Sequence, residues 1–192
     1  MKINADQFAI TSPFRNLYWN LRREHLFSYW YNRYQWYVYP SFYHVAPFPL
    51  HVDIETASIC NMSCSMCYRE RLKKESIGSM DFELFKKIIN ECAENNLYSI
   101  RLSWRGECLL NPHFLDMIRY AKEKGIKEVS FLTNGLLLDS AMCEGLVDAG
   151  VDYISVSFDG LGAMYEKIRK VSFKDAYNRL KKLKEIKKKK KN

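Results

Sequence analysis

A chain of 192 residues with 47% apolar and 27% charged residues is long enough to bury one core and too short for two ordinary domains. It contains no uninterrupted apolar run near the roughly 20 residues that span a bilayer and no signal-peptide segment at its start, so a transmembrane segment is not expected and the cytoplasm is the expected location. The net charge of +8 arises wholly in the tail, because nine bases from Arg179 onward stand against Glu185 and residues 1–178 are formally neutral; a solvated lysine run, not a nucleic-acid partner, is the expectation.

The first fifty residues are dense in rings, among them Phe27, Tyr29, Trp30, Tyr31, Tyr34, Trp36, Tyr37 and Tyr39. With Leu17, Leu21 and the charged Arg22, Arg23 and Glu24, their spacing predicts an amphipathic helix before Pro40 that packs its rings on the main body; a membrane-surface or partner-binding helix is the alternative. Pro40, Pro47 and Pro49 then mark an extended linker.

From His51 a strand–turn–helix unit recurs. Strands are expected at 51–56, 99–104, 128–133 and 153–158. The intervening apolar stripes are helical: Phe82, Phe85, Ile88, Ile89 and Cys92, capped by Ser79 or Asp81; then Phe114, Met117, Ile118 and Ala121, ending at Gly125; then Met142, Leu146 and Val147, ending at Gly150. A last helix runs from about Phe173 through Tyr177, Leu180, Leu183 and Ile186 into the lysines. This alternation predicts an α/β fold with a parallel sheet, whose ligand sites lie at the C-terminal ends of the strands. The domain organisation expected is an N-terminal extension and linker at 1–50, a core at 51–180 and a lysine-rich tail at 181–192.

The first strand leads into Cys60-x3-Cys64-x2-Cys67. Six cysteines in a reducing compartment read as metal ligands, reactive thiols or small buried hydrophobes before disulfides. Three at this spacing could share a helix face as buried small residues, but Asn61, Ser63 and Ser65 are turn-formers that suit a loop around a metal. Structural zinc and most iron–sulfur clusters take four ligands, and a fourth from Cys92, Cys108, Cys143 or a histidine lacks paired spacing. A cubane cluster on three thiolates, with one iron open, is the more economical reading. His25, His44, His51 and His113 share no motif and read as structural or surface residues.

The spacing and its place after the first strand resemble the radical S-adenosylmethionine (SAM) superfamily, over about residues 51–192. The resemblance implies an incomplete (β/α)6 partial barrel of about four units. It also implies a [4Fe-4S] cluster on Cys60, Cys64 and Cys67 and reductive cleavage of S-adenosyl-L-methionine to a 5′-deoxyadenosyl radical, which abstracts hydrogen from a peptide or small-molecule substrate. An electron donor such as flavodoxin or ferredoxin is implied as a partner. Met66 stands where the family carries an aromatic residue beside the adenine, with Tyr68 one place beyond the third cysteine. Arg105-Gly106-Glu107 resembles the family's Gly-Gly-Glu motif, which places Gly106 and Glu107 at the cofactor's ammonium group. Thr133-Asn134-Gly135 and Ser157-Phe158-Asp159-Gly160 resemble the family turns near the cofactor, placing Asn134 close to it and Ser157 and Asp159 beside its ribose. No residue beyond the cluster ligands is assignable as catalytic.

Gly78-Ser79-Met80-Asp81 and Tyr165-Glu166-Lys167-Ile168-Arg169 are similar to the branch with a C-terminal SPASM extension. Four units in place of six predict a truncated or frameshifted product, or one part of a split enzyme whose barrel a separate chain completes. The competing functions are an inactive fragment or metal-binding scaffold, and an RNA-modifying member of the superfamily motivated by the basic tail.

Overall fold

The computed structural model describes residues 25–71 and 77–191. Leu17, Leu21, Arg22, Arg23 and Glu24 of the expected N-terminal helix lie outside the described residues.

The elements in chain order are α1 (Leu26–Ser41), β1 (His51–Asp53), α2 (Phe82–Glu94), β2 (Ser99–Arg101), α3 (Phe114–Glu123), β3 (Glu128–Thr133), α4 (Ser140–Asp148), β4 (Tyr153–Val156), α5 (Ala163–Arg169) and α6 (Phe173–Lys191). The four strands form one parallel sheet in sequence order. This is the α/β arrangement expected of a partial barrel. Register follows side-chain alternation: Val52, Ile54, Ile100, Leu102, Val129 and Phe131 point into a core shared with Phe85, Ile89 and Cys92 of α2, Phe114, Met117 and Ile118 of α3, and Leu146 of α4. Most alternate positions are polar, with His51 beside Ser99 and Asp53 beside Arg101, so the sheet face away from this core carries hydrogen bonds more than apolar packing.

Three strands, β1, β2 and β4, are shorter than expected. Past β1 the chain leaves β2: Thr56 Oγ1 donates to the Leu102 carbonyl, while the Thr56 carbonyl accepts from Met80 N, and Ala57 bridges antiparallel to Ser79. β2 and β4 also end short, although Leu102 N still donates to the Ser130 carbonyl and Ser157 N to the Thr133 carbonyl.

The helix caps follow the sequence. The Asp81 carboxylate accepts from the amides of Glu83 and Leu84, making Asp81 and not Ser79 the cap of α2. Gly125 and Gly150, at φ +90° and +76°, supply the left-handed residues that follow α3 and α4. Helix α5 was not expected: seven residues long, it starts at Gly162 with no side-chain cap and buries only Tyr165, so it leaves no periodic signature.

Helix α1 departs from expectation in two ways. It continues through Pro40 to Ser41, since a proline near the last turn forfeits only its own amide bond. It also turns most of its rings outward: Tyr29, Asn32 and Arg33 are buried, with Tyr29 beside Tyr98, whereas Phe27, Trp30, Tyr31, Tyr34 and Tyr37 are exposed. At the other end, residues 181–191 continue α6 without a break. Leu183 is buried, and Lys190 pairs with Asp148 of α4.

Candidate functional site at the C-terminal ends of the strands

The chain between β1 and α2 forms a loop closed at its neck. Ser58 N donates to the Gly78 carbonyl at 2.9 Å and Gly78 N donates to Ser58 Oγ at 2.8 Å. Asn111, 2% exposed, locks the same neck by donating from Nδ2 to the carbonyls of Thr56 (2.8 Å) and Met80 (3.0 Å). Asn111 escaped sequence reading because an Asn-Pro pair signals only a turn.

The loop after β2 lies directly on the start of the cysteine segment. A Cβ on Gly106 would stand 2.4 Å from the carbonyl oxygens of both Ala57 and Ile59, and Glu107 N donates to the Ile59 carbonyl at 2.8 Å. Glycine is thus required here by close backbone approach. Arg105, at the first glycine position of the motif, forks onto Glu55, two residues beyond β1. Its Nε lies 2.8 Å from Oε1 and its Nη2 2.5 Å from Oε2. The Arg105 hydrogen bonds hold the Glu55 carboxyl below its ordinary range.

Glu107, expected at a ligand's ammonium, is 1% exposed and already engaged. Its carboxylate accepts from Thr133 Oγ1 (2.7 Å), Asn134 N (2.8 Å) and Leu109 N (3.3 Å). Burial still raises its pKa, against the pull of those donors. Its side chain therefore fastens the end of β2 to the turn after β3. Asn134 carries the connection onward: its Nδ2 donates to Asn61 Oδ1 at 2.8 Å and lies 3.9 Å from Cys60 Sγ, while its Oδ1 accepts from Leu136 N. Asn61, read only as a turn-former, is thus the acceptor that joins the cysteine loop to β3.

Cys64 meets a different element. It is 7% exposed, and Arg169 Nη1, at the end of α5, lies 3.6 Å from its sulfur. The other arm of that guanidinium pairs with Asp159, so Asp159 is committed to Arg169. Ser157 lies just beyond β4, its amide donating to the Thr133 carbonyl. The Cys67 amide closes a turn onto the Cys64 carbonyl at 3.0 Å.

Beside these residues is a cavity of about 470 Å³ lined by Cys64, Cys67, Met66, Tyr68, Arg71 and Lys170. Met66 and Tyr68 are largely exposed on it. Cys60 stands outside that lining, next to Asn134. Burial raises the Cys60 thiol pKa. Among the described residues no three His, Cys, Asp or Glu side chains converge at the spacing that grips a single metal ion. A cubane cluster is several ångström wide and draws its thiolates from further apart. The donor set fits such a group: three unpaired thiols on one loop, two of them facing a cavity, with amide and guanidinium donors against Cys60 and Cys64. A second cavity of about 480 Å³ lies under α1 at the opposite ends of the strands, lined by Asn32, Tyr98 and Lys127, and contains none of these groups.

A family model described as the Radical SAM superfamily matches residues 54–192. Among curated proteins, the tungsten-containing aldehyde ferredoxin oxidoreductase cofactor-modifying protein of Pyrococcus furiosus is 36% identical over 112 residues, 58% of this chain and 31% of that protein. The GTP 3′,8-cyclase of Chlorobaculum tepidum is 32% identical over 133 residues, 69% of this chain and 39% of that protein. The chain thus spans about a third of the length of these relatives. Among solved structures, Streptococcus suis SuiB bound to precursor peptide SuiA superposes with a TM-score of 0.61 at 17% identity, covering 97% of this chain and 39% of SuiB. Native anSMEcpe with bound AdoMet gives 0.60 at 21% identity, covering 72% of this chain and 42% of that one.

Proposed function

The chain belongs to the radical SAM superfamily, whose members use a [4Fe-4S] cluster and S-adenosylmethionine, and on that premise we propose that it carries the cluster-binding and cofactor-binding part of a radical SAM enzyme. In this reading Cys60, Cys64 and Cys67 hold three irons of the cluster, and the cavity flanked by Met66 and Tyr68 receives the cofactor. When bound, the cluster supplies the electron that cleaves the cofactor's sulfonium bond for hydrogen abstraction from a peptide or small molecule. The rest is the work of side chains. Gly106 lets the loop after β2 approach the cysteine segment, and Glu107 and Asn134 fasten β2 and β3 to it from beneath. Ser157, at the end of β4, is the hydroxyl proposed for the ribose.

The single observation that carries the reading is the hydrogen-bonded path Glu107–Asn134–Asn61, which delivers Cys60 to the ends of three strands. A cytoplasmic location, a flavodoxin or ferredoxin donor, and further chain or a separate protein completing the barrel belong to the same proposal. Anaerobic reconstitution with iron and sulfide tests it. The expected result is a brown, iron-loaded chain that yields 5′-deoxyadenosine from S-adenosylmethionine and dithionite, with loading lost in C64A. A colourless chain holding only zinc, or a loaded chain that forms no 5′-deoxyadenosine, refutes it.

A further inference from the structure

We infer that Arg169 is a positioning residue that sets the cluster's reduction potential through its hydrogen bond to Cys64, with Asp159 attenuating its effect. The inference rests on the cluster reading above. Three features of α5 carry it. Its last turn docks on the middle of the cysteine loop, where the Ile168 carbonyl accepts from both Ser65 N (3.1 Å) and Ser65 Oγ (3.4 Å). That contact places Arg169 so that Nη1 lies 3.6 Å from Cys64 Sγ while Nη2 pairs with Asp159. The Arg169 side chain is only 13% exposed, and its buried Nε has no partner among the described residues, so the guanidinium acts on Cys64 with little screening by water.

The charge argument gives a sign. A cubane held by three thiolates is anionic, and one-electron reduction adds a further negative charge. A guanidinium hydrogen-bonded to a ligating sulfur stabilises the reduced form more than the oxidised form. Arg169 therefore raises the potential. The Asp159 carboxylate, opposing that charge from the other arm of the guanidinium, lowers it. A residue that only held the loop in shape would not produce opposite shifts from the two halves of one ion pair.

The test is an anaerobic redox titration of the reconstituted full chain, without S-adenosylmethionine, followed by electron paramagnetic resonance of the reduced cluster. Iron content and circular dichroism confirm loading and folding. R169Q is expected to move the reduced-to-oxidised ratio about tenfold toward oxidised at a fixed potential, which for one electron is ~59 mV lower. D159N is expected to move it in the other direction, and carries the test alone should R169Q fail to fold. Reduced-to-oxidised ratios within twofold of wild type at the same potential in the folded variants, or shifts of the same sign in both, overturn the assignment. So does an unchanged potential with weakened S-adenosylmethionine binding in R169Q, since Arg169 would then hold the cofactor and not tune the thiolate. A wild-type chain that takes up no iron overturns the cluster reading and this inference together; a loaded wild type whose variants share its potential overturns this inference alone.

Discussion

Gly106→Ala is the most demanding test of how the site is assembled. The added methyl would lie 2.4 Å from two carbonyl oxygens and 2.6 Å from the Ser58 carbonyl carbon, all backbone atoms that no side-chain rotation can move away. Either the loop after β2 lifts or the segment from Ala57 to Ile59 retreats. Overpacking of this kind costs about 1–3 kcal/mol. Lifting the loop also breaks the 2.8 Å bond from Glu107 N to the Ile59 carbonyl, and a buried amide left without its acceptor costs about 1–3 kcal/mol more. The combined loss of roughly 2–6 kcal/mol is a large share of the 5–15 kcal/mol that holds a typical domain. Urea unfolding of the apo chain, followed by circular dichroism, reads the loss as a lower midpoint, and iron uptake reads its effect on the loop. Gly78→Ala is the control: a Cβ there meets nothing within 4 Å, so the same substitution should be neutral or slightly stabilising. Equal midpoints for the two variants, with equal iron uptake, would show that the loops do not dock as described.

Two carboxylates should give opposite pH signatures. Burial raises the Glu107 pKa, so the folded chain holds that proton more tightly than the unfolded chain. Its contribution is complete below the ordinary glutamate pKa of 4.5 and is lost as pH rises toward the folded value. E107Q removes this dependence and aims an amide nitrogen at existing donors, costing about 1–3 kcal/mol; an advantage of wild type over E107Q that grows with rising pH would contradict the burial argument. The Arg105 fork depresses Glu55, whose contribution is present above 4.5 and lost as pH falls through the folded value. R105Q should therefore lower stability slightly near neutrality, where the fork still holds Glu55 ionised, and not at all in acid; denaturation midpoints at two pH values decide it. Leu183→Ala should cost about 2–3 kcal/mol because α6 packs on α4 through it, whereas K188Q on the exposed face should stay within about 0.5 kcal/mol. Equal thermal midpoints for those two variants would detach the lysine helix from the folded body.

The regular elements were legible because their signals are local. The stripe Phe82, Phe85, Ile89 and Cys92 and the glycines after α3 and α4 speak for themselves, and strand–helix alternation then dictates a parallel sheet. What could not be read depends on contacts between distant segments. β1 ends early where Thr56 turns to Leu102 and Met80, and nothing near Thr56 in sequence announces either partner. Gly106 and Glu107 were legible as a motif, yet the engagement of Glu107 by Thr133 and Asn134 is visible only once β2 and β3 lie side by side. Arg169 was legible as part of a motif but not as the neighbour of Cys64, because α5 is too short to announce its own direction.

The three cysteines are held to different degrees, and this bears on how a cluster is acquired. Cys60 sits against Asn134, which is fixed by Glu107 and Asn61, so its position is set by the sheet itself. Cys64 is buried against Arg169, whose helix is tied to the loop through Ile168 and Ser65. Cys67 is fixed by a local turn onto Cys64, in a stretch whose neighbours Met66 and Tyr68 are exposed. In the proposed cluster reading, Cys67 is the ligand least fixed by the fold, and ligation would draw it toward two that are already anchored. The fold presets Cys60 and Cys64, and on that reading the binding free energy goes into bringing Cys67 to them. Met66 and Tyr68, which flank Cys67, line the same cavity, so on that reading a movement of Cys67 on cluster loading would also reshape the proposed cofactor pocket.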